Sequence, residues 1–303
     1  MVSMNINGDE LEYTEQGAGE PLVLVHGSAS DYRTWHFQHA AFSKHFRTIT
    51  YSRRYHWPNQ PIPDGGDYSM LLHVDDLREV IHSLDAKPAH LVGHSYGAFL
   101  CLLLALQEPH LVRSLVLAEP PAITLFVSNN PKPLELIILL VTRPRTAAAI
   151  IKFGASGVAS ATRAFKRGDM ESGIRTFGEA VFGQGGYDRL SDDQKEQVYD
   201  NLSNVKAEIL GSGFAPLEPK RVRTIMTPVL LITGDHSVSL FHYIIDRLQE
   251  LLPHAERAEI EGASHLMHED NAPAYNRLVL SFLKKSNWSN KANSAEAKNY
   301  ITD

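Results

Sequence analysis

Leu91-Val92-Gly93-His94-Ser95-Tyr96-Gly97-Ala98 is the stretch on which the reading of this chain turns. His90-Leu91-Val92 has the apolar character of a short strand, and residues 98–107 form an apolar segment of helical length. The pattern Gly-x-Ser-x-Gly therefore stands between an expected strand and an expected helix. A serine on so sharp a strand-to-helix turn is held in a strained backbone conformation with its hydroxyl exposed above the sheet, and small flanking residues leave room for the tight packing. Ser95 is the candidate nucleophile. An ordinary glycine-rich connection is the plain alternative, and the strand–motif–helix setting weighs against it.

Working outward, the chain alternates between strand and helix signals. Two short strands are expected around residues 3–7 and 11–15, joined by the turn signal Asn7-Gly8-Asp9-Glu10. Leu22-Val23-Leu24-Val25 is a continuous apolar run, as in a strand buried on both faces. A helix around 35–44 and a strand around 46–51 follow. After a loop rich in Pro and Gly (58–66), residues 70–84 place Leu71, Val74, Leu77, Val80, Ile81 and Leu84 at helical spacing. Beyond the serine motif comes the strand 114–118. Such alternation means a mostly parallel, twisted α/β sheet flanked by helices, with right-handed crossovers.

The alternation stops for about a hundred residues. Residues 120–221 read as helical material rich in Ala, Ile and Leu, broken by Gly154, Gly168, Gly173 and the glycines of 183–186. It resumes with a strand at 228–233, a helix near 240–252, a strand near 255–260 and a helix over 272–285. The expected organisation is a core of residues 1–120 and 222–285, an inserted helical cap of 121–221 over the carboxyl edge of the sheet, and a polar, frayed tail of 286–303.

Composition narrows the function. The 303 residues carry 29 basic and 35 acidic side chains, a net charge of −6, with no basic stripe, which argues against a nucleic-acid partner. Cys101 is the single cysteine, so no intrachain disulfide can form, as suits a reducing compartment such as the cytoplasm. The N-terminus lacks the basic and apolar regions of a signal peptide. The longest apolar runs, 98–106 and 136–141, fall far short of the roughly 20 residues that span a bilayer, so no membrane association is expected. No His/Cys/Asp cluster has ligand spacing, so neither metal nor cofactor is implied. Oligomeric state is left open.

Val25-His26-Gly27-Ser28, Gly93-His94-Ser95-Tyr96-Gly97, the apolar strand ending in Gly234-Asp235, and Gly262-Ala263-Ser264-His265 stand in an order that resembles the α/β-hydrolase fold, over roughly residues 10–285. The likeness is to serine esterases and lactonases with a helical cap. It implies Ser95 as nucleophile and His265 as base, the latter chosen from 15 histidines by its place after the last strand. His268 is its nearest rival, while His94 is expected to pack beneath the elbow and His26 to brace its turn. The resemblance further implies an oxyanion site made by the backbone N–H groups of Tyr96 and Ser28.

The chain departs from the family pattern at the acid. Most members carry an Asp three residues after the Gly that ends the second-last strand, and here Ser237 stands there. A serine cannot stabilise an imidazolium as a carboxylate does. Glu119, in Leu117-Ala118-Glu119-Pro120-Pro121, ends the strand after the elbow helix, where some branches of the family, haloalkane dehalogenases among them, place their acid. Asp235 is the alternative. A second departure is Tyr51-Ser52-Arg53-Arg54-Tyr55-His56, where many relatives have Asp-x-Arg-Gly-x-Gly; structural ion pairs are expected of Arg53 or Arg54, and no catalytic role.

The resemblance thus implies a serine hydrolase acting on a small-molecule carboxylic ester of short to medium acyl chain, or a lactone, through an acyl-enzyme. Apolar cap residues, among them Leu125, Phe126, Ile137, Leu140, Phe153 and Phe177, are the expected pocket contributors. Two rivals remain. Carbon–carbon bond hydrolases of dienone acids share the plan and need a cation for the substrate carboxylate, which Arg143, Arg145 or Arg163 could supply. A non-catalytic ligand receptor would be expected to lose the nucleophile, base or oxyanion turn, and here all three are present. Epoxide and haloalkane chemistry needs an Asp at the position of Ser95.

Overall fold

A computed structural model describes residues 1–286 together with the helical course of the chain as far as Asn299. Within the tail expected to fray, the backbone of 286–299 is described as helix, and 300–303 fall outside the described residues. Eight strands form one sheet: β1 (Val2–Ile6), β2 (Asp9–Gln16), β3 (Pro21–Val25), β4 (Arg47–Tyr51), β5 (Ala89–His94), β6 (Val112–Ala118), β7 (Val229–Gly234) and β8 (Glu256–Ile260). Their spatial order is β1-β2-β4-β3-β5-β6-β7-β8. β1 and β2 pair antiparallel through the two-residue turn Asn7-Gly8, both at positive φ, and β2 pairs antiparallel with β4. All remaining pairings are parallel.

The uninterrupted apolar strands follow from burial on both faces. Along β3, Val23 and Val25 enter one core while Leu22 and Leu24 enter the other. Leu115 and Leu117 of β6 alternate in the same way with Val116 and Ala118, as do Val229 and Leu231 of β7 with Leu230 and Ile232. The first core is closed by α2 (Met70–Ser83), α3 (Tyr96–Gln107) and α11 (Ser239–Leu251); the second by α1 (His36–Phe42) and α13 (Ala272–Asn299). α3 is buried almost all round, which explains why its sequence is apolar without a polar face.

Between β6 and β7 the described elements are helical: α4 (Pro133–Thr142), α5 (Pro144–Lys152), α6 (Ala159–Lys166), α7 (Met170–Phe182), α8 (Asp192–Asp200), α9 (Leu202–Leu210) and the single turn α10 (Pro219–Val222). A π-helical turn, Phe153–Val158, joins α5 to α6. These helices have a small core of their own around Phe165, Ile174, Tyr187 and Val205, and Ala29 and Leu266 of the sheet-bearing part pack against it. The insertion is thereby seated over the loops that follow β3 and β8. A last short helix, α12 (Met267–Asp270), precedes α13.

Candidate active site

Ser95 sits between β5 and α3 with φ 51° and ψ −121°, a backbone conformation that a side-chain-bearing residue adopts only when its surroundings impose it. Its amide donates to Ala118 O of β6 at 2.8 Å, and Phe99 N closes the first helical turn on Ser95 O. The motif glycines are steric requirements: a Cβ on Gly97 would lie 2.2 Å from Val25 O, and one on Gly93 2.5 Å from Ala98 Cα.

Four loops at the carboxyl edge converge on this turn. The loop after β8 carries His265, 2% exposed, whose Nδ1 lies 2.5 Å from Oε2 of the fully buried Glu119. Glu119 follows β6 at φ 47°, a left-handed conformation, and its Oε1 accepts from Gly234 N at 3.0 Å. Both carboxylate oxygens are thus committed. Nδ1 of His265 is the donor in this pair, which leaves Nε2 as an acceptor, buried and without a hydrogen-bond partner among the described residues. Phe241 stacks on the imidazole at 4.1 Å between ring centroids, and the His94 ring lies 4.7 Å away. His94 also donates from Nε2 to His265 O at 2.8 Å. Gly234 lets the loop come this close, for a Cβ there would meet Ser264 O at 2.3 Å.

Asp235, the other candidate acid, lies elsewhere. Its Oδ1 accepts from Ala263 N at 3.0 Å, and hydrogen bonds to the Gly262 and Ala263 amides hold its carboxyl below the ordinary range. It supports the loop backbone and has no contact with the His265 ring. Ser237 has a buried hydroxyl with no hydrogen-bond partner among the described residues. His268 is fully buried, with Nε2 2.7 Å from Thr34 Oγ1, and burial first, then the His265 charge, pushes it down to about 3. His26 takes the Arg53 amide on Nε2 at 2.9 Å and donates from Nδ1 to Gly27 O at 2.9 Å, which ties the turn of Ser28 to the loop after β4. Arg54 pairs with buried Asp76 at 2.6 Å, whereas Arg53 packs over the Tyr96 ring at 4.7 Å and donates to Gly27 O.

Ser28, Ser95 and His265 line one cavity of about 50 Å³, roofed by Ile174, Val181 and Phe182 of the insertion. A second cavity of about 270 Å³ lies beside Tyr96 and Glu208, and Phe177 borders both. Among the expected pocket residues, Phe153 lines the larger cavity. Leu125 is buried in the core of the sheet, and Phe126 packs half-buried against that core. Ile137 and Leu140 stand 57% and 47% exposed on α4. These four line neither cavity, because α4 turns its apolar side outward and the chain just after β6 folds down onto the sheet. Arg143 pairs with Glu250, Arg163 donates to Ser160 Oγ, and Arg145 is exposed, so none of the three faces Ser95.

Glu208, Phe182 and Phe241 are the residues beside the site that sequence reasoning missed. They lie on helices of no distinctive motif, and only tertiary packing brings Glu208 to the Ser28 turn, Phe241 to the His265 ring and Phe182 to the cavity that Ser95 lines.

Residues 22–278 match the sequence pattern of the alpha/beta hydrolase family. The chain belongs to this family. Among curated relatives, this hydrolase is similar to the (E)-2-((N-methylformamido)methylene)succinate hydrolase of Acinetobacter baylyi, 35% identical over 107 residues. That match covers 35% of this chain and 40% of the relative, so the chain spans less than half of that enzyme's length. Epoxide hydrolase 3 of Xenopus tropicalis is 24% identical over 300 residues, 94% of this chain and 77% of the relative. Among solved structures, a thermophilic esterase from Thermogutta terrifontis superposes with a TM-score of 0.72 at 18% identity, covering 94% of this chain and 98% of the esterase. At that identity the likeness speaks for the fold alone. No helix among the described residues is long and apolar enough to cross a membrane.

Proposed function

We propose that this alpha/beta hydrolase is a serine hydrolase of small carboxylic esters or lactones, with Ser95 as nucleophile, His265 as general base, Glu119 as the acid, and residues 121–221 as a cap over the site. The observation that carries the reading is the buried Glu119–His265 pair: Nδ1 is bound at 2.5 Å, and Nε2 is left free beside the cavity that Ser95 lines. An imidazole held in that tautomer can take a proton on Nε2 and nowhere else.

In the reaction, Ser95 Oγ attacks the carbonyl carbon while its proton passes to His265 Nε2. The carbonyl oxygen becomes an oxyanion facing the amides of Tyr96, at the N-terminus of α3, and Ser28. The tetrahedral intermediate collapses, and His265 returns the proton to the departing alkoxide. Water, deprotonated by the same nitrogen, then attacks the acyl-enzyme; the C–Oγ bond breaks, His265 returns that proton to Ser95 Oγ, and the acid is freed. Throughout, Glu119 balances the imidazolium. A Ser in place of an Asp nucleophile speaks against the epoxide chemistry named for the Xenopus relative. Buried Cys101, the chain's single cysteine, supports a reducing compartment such as the cytoplasm.

The test is hydrolysis of p-nitrophenyl esters from acetate to decanoate by the wild type beside Ser95→Ala. Turnover that disappears in Ser95→Ala is expected, with a chain-length optimum set by the acyl cavity. Turnover that survives in Ser95→Ala, or is absent from both proteins on every ester, overturns the reading.

A further inference from the structure

Glu208 of α9 approaches the Ser28 turn across the boundary between insertion and core. Ser28 Oγ donates to Glu208 Oε1 at 2.9 Å, while Oε2 is buried without a hydrogen-bond partner among the described residues. A buried carboxylate oxygen left unpaired costs free energy, and such an atom in a native site calls for a partner that arrives with a ligand. Glu208 lines the 270 Å³ cavity together with Tyr68, Tyr96 and Asn129, whereas the 50 Å³ cavity that holds Ser95 and His265 is walled mainly by apolar side chains. Phe177 borders both cavities, and the Ser28–Glu208 hydrogen bond links a residue lining the smaller to one lining the larger. Beside the cramped, largely apolar space at Ser95 there is thus a roomier one lined by aromatic and polar side chains, among which Glu208 holds a buried oxygen without a partner among the described residues.

We propose that Glu208 is a specificity residue, whose free Oε2 accepts a hydrogen bond from a neutral O–H or N–H donor on the larger half of the substrate. This rests on the acyl-transfer reading above. Neutral donors fit better than ammonium groups because the Arg53 guanidinium, packed on Tyr96 at 4.7 Å, already supplies a positive charge there. Burial raises the Glu208 carboxyl to about 7, against the pull of the Ser28 hydroxyl and the Arg53 charge, so the carboxylate acceptor is fully formed only above neutrality.

The experiment compares 2-(indol-3-yl)ethyl butyrate, an obligate N–H donor, with its benzothiophene counterpart, which lacks the N–H, at pH 8. The wild type should favour the indole ester in kcat/KM by about ten- to hundredfold, the range of one hydrogen bond to a charged group. In Glu208→Gln the carboxamide oxygen keeps the Ser28 bond and its NH₂ faces the cavity, so the ratio should collapse towards one. Equal rates in the wild type, or a preference that persists in Glu208→Gln, would overturn the proposal and leave ester hydrolysis standing. If no ester is turned over, the ester reading falls, and calorimetry of the two free alcohols on both proteins decides for Glu208. Tighter binding of the indole alcohol that Glu208→Gln abolishes upholds its role; equal binding ends it.

Discussion

Replacing Glu119 by Gln exchanges a single heavy atom, an oxygen for an NH₂ nitrogen, at almost constant volume, which makes it the sharpest test of the site. In the wild type Oε1 accepts from Gly234 N at 3.0 Å and Oε2 receives the His265 Nδ1 proton. A Gln can keep the first bond only by turning its NH₂ towards His265, which makes Nδ1 an acceptor and moves the ring proton to Nε2. That nitrogen then cannot take the Ser95 proton. The opposite amide orientation sets NH₂ against the Gly234 N–H, two donors in a fully buried place, at about 1–3 kcal/mol. The electrostatic loss gives a second estimate. An imidazolium and a carboxylate with charge centres about 4 Å apart interact by about 4 kcal/mol at an effective dielectric of about 20, or roughly a thousandfold in rate. The tautomer effect in serine triads is about 10⁴-fold. Glu119→Gln should therefore lower kcat on a p-nitrophenyl ester by about 10³- to 10⁴-fold, with KM changed little. Asp235→Asn keeps an oxygen for the Ala263 amide and should stay within about tenfold of wild type. Thermal melts serve as the check that both variants fold. Glu119→Gln within tenfold of wild type, beside a thousandfold loss in Asp235→Asn, would refute the reasoning.

Gly97→Ala would place a Cβ 2.2 Å from Val25 O and 2.4 Å from His26 O, both backbone atoms that cannot step aside. A loss of about 3–5 kcal/mol in denaturant unfolding is expected, and a midpoint equal to wild type would disprove the steric account. Glu208 contributes a pH dependence whose sign follows from its raised carboxyl, about 7 in the fold against 4.5 ordinarily. Its neutral form suits the buried site, so the fold is favoured fully below about pH 4.5 and that advantage is lost as pH rises to about 7. Glu208→Gln should accordingly gain about 1–3 kcal/mol relative to wild type between pH 5 and pH 8, the shift discounted for partial exposure. Parallel urea unfolding curves at both pH values check this, and an unchanged difference would contradict it.

The sheet was legible in the chain because strands buried on both faces must be apolar throughout, so 22–25, 114–118 and 228–233 announce themselves without alternation. The elbow was legible because the close approach of α3 to Val25 and the loop of His26 leaves no space for a side chain at Gly97. Cavity walls were not. An apolar residue such as Ile137 carries no sign of whether it faces a ligand, a core or solvent, and α4 presents Leu134, Ile137, Ile138 and Val141 outward. Glu208 was equally silent, since its surroundings arise only when α9 packs against the turn after β3. Local periodicity predicts elements; which side of an inserted helix meets the sheet depends on how several helices settle against one another.

The position proposed for the acid shows why motif spacing alone left two choices. β6 and β7 are parallel neighbours, so residues just past their ends reach the same edge about 4.8 Å apart. Glu119 uses both its backbone and its side chain to cross that gap: its amide donates to Ile232 O at 3.2 Å, and its carboxylate accepts from Gly234 N. It ends at the mouth of β7, the strand after which most relatives place their Asp. The longer Glu side chain and the positive φ together make the crossing possible, and the vacated family position can then be a serine. What the chemistry requires is a buried carboxylate on His265 Nδ1, and two adjacent strand ends can each deliver it. In the proposed triad Asp235 is passed over on geometry, not charge, because its carboxylate is already turned to the Gly262–Ala263 amides that shape the histidine loop.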